Sequence, residues 1–129
     1  MENKVTLENG IITQLCAEEQ TYQSMHGMLK ETNQFADQLH KEKKEVLILT
    51  DFSLVKRAGY GAKKASMEGL ADPKHDKVAI FGATPFFRLM GEAIIKSSQA
   101  GEKIKHFATK AEAVNWLREE DKVKEPRSG

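Results

Sequence analysis

A chain of 129 residues is long enough for one domain with its own hydrophobic core, without disulfide or metal staples. Its 20 basic and 19 acidic residues leave a formal charge of +1, which gives no global electrostatic reason to bind nucleic acid or an anionic membrane. The single cysteine, Cys16, excludes an intrachain disulfide and a cysteine-based zinc cluster. No stretch resembles a signal peptide or has the roughly 20 apolar residues of a membrane span, so we expect a cytoplasmic protein.

The first predicted elements are a hairpin and a long helix. Residues 4–7 and 11–16 flank Asn9-Gly10, a dipeptide that tolerates the positive φ angles of a tight turn. Two antiparallel strands are therefore expected. From residue 18 to about 43, apolar residues recur at spacings of three and four, which predicts an amphipathic helix.

Strands and helices then alternate through the middle of the chain. Five uncharged residues at 46–50, bounded by Glu45 and Asp51, predict a strand buried on both faces. After a polar loop, residues 58–71 predict a helix that ends at Asp72-Pro73, because a residue before proline disfavours helical geometry. Residues 77–82 predict another buried strand.

The C-terminal third carries two helix-start signals. Thr84-Pro85 supplies an N-cap and a first helical residue, which predicts a helix from 85 to about 100 that Gly101 ends. A last strand is expected at 103–108, and Thr109-x-x-Glu112 is a capping box for a fourth helix. We expect one domain over 1–120 and a polar, disordered tail over 121–129. The expected inner face of the third helix comprises Phe86, Leu89, Met90, Ala93 and Ile94.

The predicted fold class is α/β, with the element order ββαβαβαβα in one domain. Each later strand is reached through a helix, which favours parallel pairing with right-handed crossovers, whereas the N-terminal hairpin adds an antiparallel edge. The expected sheet is therefore mixed.

Three segments resemble the STAS-like domains of the SpoIIAA-like group, which is related to the sporulation anti-sigma factor antagonists. They are the apolar strand with Gly59-Tyr60-Gly61, the segment KVAIFGATPFFRLMG, and the C-terminal HFATKAEAVNWL. The resemblance covers most of the chain. It implies a STAS-like fold and a regulatory role exerted through a protein partner, as in bacterial regulation, rather than through catalysis.

The loop after residue 50 departs from the pattern of the phosphorylatable members of that group. In those proteins it ends in Asp-Ser-Ser-Gly-Leu-Gly, whose second serine is modified. Matching the Gly-x-Gly places Lys56, Arg57 and Ala58 where Asp, Ser and Ser would stand. Alanine cannot carry phosphate, so the usual phosphoacceptor is absent. Ser53 lies earlier in the loop and is interpreted as a turn serine.

No set of residues predicts catalysis, a cofactor or a metal site. The histidines are scattered, and we interpret His40, His75 and His106 as solvent-exposed. Asp51 follows a strand, where a lone carboxylate is expected to accept hydrogen bonds from loop amides. The glycines around Tyr60 lack the spacing of a dinucleotide fingerprint and are expected to allow a close helix-to-sheet approach. We therefore expect no enzyme.

Two binding hypotheses remain open. The first is a non-catalytic protein-interaction module, in which the partner contacts the loop after the strand at 46–50; a homodimer is also compatible with the sequence. Its candidate residues are Asp51, Ser53, Lys56, Arg57, Ala58 and Tyr60. The alternative is a carrier or sensor of a small hydrophobic ligand, as is thought of some relatives of this fold and of the similar CRAL-TRIO domains. Its candidate lining residues are Met25, Met28, Met67, Phe86, Phe87 and Met90.

One detail of the second hypothesis concerns two adjacent aromatic residues. A helix with 3.6 residues per turn cannot direct Phe86 and Phe87 the same way. We therefore expect one of the two rings to lie partly outside the core.

Overall fold

The computed structural model describes residues 1–71, 74–98 and 101–119. The expected helix stop at Asp72-Pro73 and the expected tail at 121–129 lie outside these residues. The strands are β1 (Lys4–Glu8), β2 (Ile11–Leu15), β3 (Glu19–Gln20), β4 (Leu47–Asp51), β5 (Arg57–Ala58), β6 (Lys77–Phe81) and β7 (Ile104–Phe107). The helices are α1 (Tyr22–Lys41), α2 (Tyr60–Ala71), α3 (Pro85–Lys96) and α4 (Lys110–Arg118), with a short 3₁₀ turn at Gly101–Lys103.

The main sheet has the strand order β1-β2-β4-β6-β7 over the described residues. β1 is antiparallel to β2, and every further pairing in this sheet is parallel. Asn9 and Gly10 form the hairpin turn with φ angles of 52° and 81°. The expected mixed α/β sheet is confirmed.

A second sheet was not predicted from the sequence. β3 and β5 form a two-residue parallel pair, in which Glu19 lies opposite Arg57 and Gln20 opposite Ala58. The first helix therefore begins at Tyr22 rather than at residue 18, with Thr21 as its N-cap. The Thr21 hydroxyl accepts a hydrogen bond from the amide of Ser24, which satisfies a free helical donor. The second helix likewise begins at Tyr60 rather than at Ala58.

The two faces of the main sheet have different coverings. Of the described helices, only α4 packs on one face, and the buried contacts there join Ile11, Leu49 and Ala79 of the strands to Ala113 and Leu117 of the helix. On the other face lie α1, α2 and α3. Ala36 and Leu39 of α1 pack on this side of the sheet against Ile12, Val46 and Ile48. A separate cluster of buried residues contains Met25 and Met28 of the same helix, so α1 contributes to two parts of the core.

Gly61 brings α1 and α2 together. A Cβ at this position would lie 3.1 Å from Cβ and from the backbone nitrogen of Tyr22. The close approach expected for the glycines around Tyr60 is thus between two helices, not between a helix and the sheet. The prediction was wrong, since a Cβ at Gly59 would meet no atom within 4 Å and the atoms nearest to one at Gly61 belong to Tyr22 of α1.

The third helix differs from its predicted orientation and length. It has no buried residue, and Phe86 and Leu89 are 64% and 68% exposed. Phe87 instead faces inward and makes an edge contact with Phe52, with ring centroids 5.9 Å apart. Since consecutive helical residues point about 100° apart, Phe86 must then face outward, as expected for one ring of this pair.

The helix also ends earlier than predicted. Ser97 is its C-cap and donates its amide hydrogen to the carbonyl oxygen of Ala93, whereas Gly101 opens the 3₁₀ turn before β7.

No described helix is both long and apolar enough to cross a membrane.

Candidate functional site

A cavity of about 230 Å³ lies between the main sheet and the layer formed by α1, α2 and α3. Its floor follows from strand alternation, because every second residue of a strand faces the same side. Opposite pairs in the register are Ile48 with Val78, Thr50 with Ile80, and Ile80 with His106. The floor residues are Ile48 and Thr50 of β4, Val78 and Ile80 of β6, and Ile104 and His106 of β7.

The helices supply an apolar roof, and four of the six predicted ligand residues belong to it. Met25 and Met28 of α1 and Phe87 and Met90 of α3 all line the cavity. The remaining roof is formed mainly by Leu29, Ala36, Ala62, Leu70, Ile94 and Ile95.

The other two predicted ligand residues do not reach this cavity. Met67 lines a separate cleft of about 160 Å³ between α2 and α3, beside Leu70 and Ile94. Phe86 lies on the outer side of α3, where its ring contacts Phe87 at a centroid distance of 5.5 Å. The structure thus brings together only part of the predicted set.

One wall of the cavity is polar and internally hydrogen-bonded. Thr50 donates from its hydroxyl to Oε1 of Gln14 at 2.6 Å, and Nε2 of Gln14 donates to the hydroxyl oxygen of Thr32 at 2.8 Å. Thr32 in turn donates to the carbonyl oxygen of Met28 at 2.8 Å. All three side chains are buried, so this chain of bonds joins α1 to β2 and β4 in a place of low dielectric.

Two histidines of the cavity lining have ring nitrogens without a partner. Nε2 of His75 and both Nδ1 and Nε2 of His106 are buried and have no hydrogen-bond partner among the described residues. Burial lowers the pKa of both imidazoles from its usual value; Lys103 adds to the effect at His75, and Glu92 opposes it at His106. The expectation that both rings are solvent-exposed was wrong.

Cys16 also lines the cavity, but its chemistry is that of an inert thiol. The side chain is fully buried, and its Sγ lies 3.8 Å from Sδ of Met28. Burial raises the pKa of the thiol to about 12, with a smaller contribution from Asp51. The reactive thiolate is therefore not populated at neutral pH.

The predicted partner-binding loop begins with a local hydrogen-bonded turn. Oδ1 of Asp51 accepts from the amide of Ser53 at 2.9 Å and from its hydroxyl at 2.6 Å. Asp51 accordingly accepts a loop amide, as expected, and Ser53 has the local turn role that its position suggested. Neither residue lines the main cavity.

The rest of the loop is held by its backbone and by one buried side chain. The amides of Lys56 and Arg57 both donate to the carbonyl oxygen of Glu18, at 2.7 and 3.0 Å. Val55 is 2% exposed and packs with Met25 and neighbouring core residues. The conformation of the loop is thus fixed while its charged side chains point outward.

The exposed side of the loop carries an aromatic residue and positive charge. Tyr60 is 78% exposed at the start of α2. Arg57 lies 3.9 Å from the carboxylate of Glu19, a solvent-exposed pair that contributes little to stability. Ala58 is half-buried and, unlike Arg57, lines the cavity. The predicted partner residues therefore divide between an outer surface and the rim of the cavity.

The polar part of the cavity lining was not predicted from the sequence. The available signal for His106 was its spacing: it stands two residues after Ile104, so both must face the same side of a strand. Gln14 and Thr50 occupy equivalent inward positions in their strands.

The described residues contain no group of three or more metal-ligating side chains.

Comparisons with known proteins identify the fold. No family model matches the chain, and no curated protein matches it. A solved structure does: an uncharacterized protein of the DUF3478 family with a SpoIIAA-like fold from Shewanella loihica PV-4. The two share 16% sequence identity with a TM-score of 0.61, over 89% of this chain and 91% of the other. The chain has a SpoIIAA-like fold, in agreement with the resemblance noted in its sequence.

Proposed function

We propose that this chain binds a small, mainly apolar molecule in the cavity between the main sheet and α1, α2 and α3. The observation that carries the proposal is the cavity of about 230 Å³ with its lining of Ile, Leu, Met, Phe and Ala side chains. Protein interiors are close-packed and contain few voids larger than a water molecule. This space lies beneath α3, which has no buried residue. A void of this size is therefore better explained as a ligand-binding cavity than as part of a close-packed core.

The volume limits the size of the ligand. A designed apolar cavity of about 150 Å³ accommodates benzene, and pockets for drug-sized ligands are about 300–1,000 Å³. A cavity of about 230 Å³ lies between these values. The proposed ligand is consequently a short alkyl chain or a single substituted ring. Met25, Met28 and Met90 suit such a role because unbranched thioether side chains adapt to irregular shapes.

The test compares two phenylalanine substitutions on α3. Ile94 lines the cavity, and Ile94→Phe should fill part of it. Ala93 is exposed on the same helix, so Ala93→Phe adds the same ring outside the cavity and serves as the matched control. Native mass spectrometry of the purified proteins should show a bound small molecule on the wild type and on Ala93→Phe, and less on Ile94→Phe. A clean unliganded mass of the wild type across several preparations, with no NMR shift change on adding n-octane, would contradict the proposal.

A second candidate function is protein interaction through the loop surface, defined as Lys56, Arg57 and Tyr60. The observation in its favour is the combination of a fixed backbone and exposed side chains: two amides bond to Glu18, while Tyr60 is 78% exposed. A preordered loop loses little entropy on binding, and tyrosine adds contact area at low entropic cost. This role depends on no phosphate, because Ala58 stands at the usual phosphoacceptor position of the resembling proteins.

The loop surface is tested by substitution. Arg57→Glu and Tyr60→Ala should each weaken capture of a specific host protein, whereas the charge reversal Lys41→Glu at the far end of α1 should not. Circular dichroism checks that the fold is retained. Equal capture by all variants would exclude this surface.

A further inference from the structure

His106 lies on β7, the edge strand of the main sheet, and forms the side of the cavity floor beneath α3. Its ring approaches Gly91 so closely that a Cβ at that position would lie 2.9 Å from Nε2 and 3.1 Å from Cε1. The neighbouring floor residues Ile80 and Ile104 are apolar. The imidazole therefore lies next to aliphatic side chains of the floor.

No described residue satisfies the hydrogen-bonding capacity of this ring. Nδ1 and Nε2 are both buried without a partner, although buried polar atoms in native proteins are usually paired. The charged residues of α3 that act electrostatically on the ring are Arg88 and Glu92, and they pair with each other at 3.3 Å. His75 also lines the cavity, but of its two ring nitrogens only Nε2 is buried without a hydrogen-bond partner among the described residues.

Building on the proposed function, we infer that the ligand is an amphiphile whose one polar oxygen hydrogen-bonds to the ring of His106. A neutral imidazole carries one donor and one acceptor nitrogen, so a hydroxyl or carboxyl oxygen can accept from the N–H. The apolar body of the ligand then contacts the methionines and α3. Such a bond satisfies a buried donor whose unpaired state has a free-energy cost.

The experiment uses two probes with the same number of non-hydrogen atoms, n-heptanol and n-octane, and n-octanoate as a third. Dissociation constants are measured by NMR titration for the wild type, His106→Leu and His40→Leu. The last is the matched control, because His40 is exposed on α1. His106→Leu should bind n-octane with unchanged affinity. Its affinity for n-heptanol should fall about fivefold or more, which corresponds to the net free energy of one hydrogen bond. His40→Leu should change neither affinity. The n-octanoate titration shows whether a carboxylate is accepted in place of the hydroxyl.

A measurement on the wild type keeps the inference testable if His106→Leu does not fold. The ring ¹⁵N resonances of His106 should shift on addition of n-heptanol and not of n-octane. If n-octane and n-heptanol both bind but neither the substitution nor the ring resonances distinguish them, the role of His106 is excluded while the cavity function stands. If no probe binds, both proposals fail.

Discussion

Gly82, the residue directly after β6, lies against Ser53 in the loop after β4: a Cβ on Gly82 would be 2.8 Å from Cβ of Ser53. The glycine also has a φ angle of 81°, in the left-handed region that other residues rarely adopt. This contact joins the loop after β4 to the C-terminal end of the neighbouring strand.

Replacing Gly82 by alanine should therefore destabilise the protein through two effects. Gly10 has the same φ angle of 81°, but a Cβ added there would meet no atom within 4 Å, so Gly10→Ala measures the backbone effect alone. We expect a loss of about 1–2 kcal/mol for Gly10→Ala and about 1–3 kcal/mol more for Gly82→Ala because of the added clash. Urea unfolding provides both values. Equal losses for the two variants would mean that the Ser53 contact relaxes at no cost.

The buried hydrogen bonds of the cavity wall give a second stability prediction. Thr32→Val keeps the size of the side chain but leaves Nε2 of Gln14 without its acceptor. The expected loss in the free energy of unfolding is about 1–3 kcal/mol, the cost of an unsatisfied buried donor. Thr6→Val, at an exposed position of β1, is the control and should change stability by no more than about 0.5 kcal/mol. A near-zero effect of Thr32→Val would show that Gln14 finds another acceptor.

The two cavity histidines make stability depend on pH. Burial lowers the pKa of His75 and His106 below the ordinary value of 6.5, so below that pH the unfolded chain binds more protons than the folded one. The free energy of unfolding should thus fall as the pH drops below about 6.5, and these groups should contribute no slope well above it. His106→Leu should reduce the slope, as measured by urea unfolding between pH 5 and pH 8, about one and a half units either side of that value. An unchanged slope would place the ring in solvent.

The thiol of Cys16 is expected to report unfolding. With its pKa raised to about 12 and its side chain fully buried, Cys16 should react very slowly with a thiol reagent in the folded protein at pH 8. Urea should increase the rate in parallel with the unfolded fraction. Since the chain has one cysteine, the signal comes from a single site. Rapid reaction without denaturant would reveal local opening of the cavity wall.

Sequence patterns determined the order of the main elements because their causes are local. The Asn9-Gly10 turn, the uncharged run at 46–50 and the Thr109–Glu112 capping box each depend on neighbouring residues. Those features predicted the hairpin, the buried strand β4 and the helix start at Lys110, which the structure contains.

Tertiary structure alone decided the short β3–β5 pairing, the rotation of α3 and the surroundings of His106. Each depends on residues far apart in the chain. The carbonyl oxygen of Glu18 accepts two amide hydrogen bonds from the loop. Phe87 packs against Phe52, which leaves Phe86 on the outer side of α3. The absence of a side chain at Gly91 leaves space for the imidazole of His106. The separation between α3 and the sheet likewise comes from packing, so the cavity could not be predicted from helix periodicity. The apolar residues that line the cavity can be recognised in the sequence, but the polar side chains among them are evident only when the strands lie side by side.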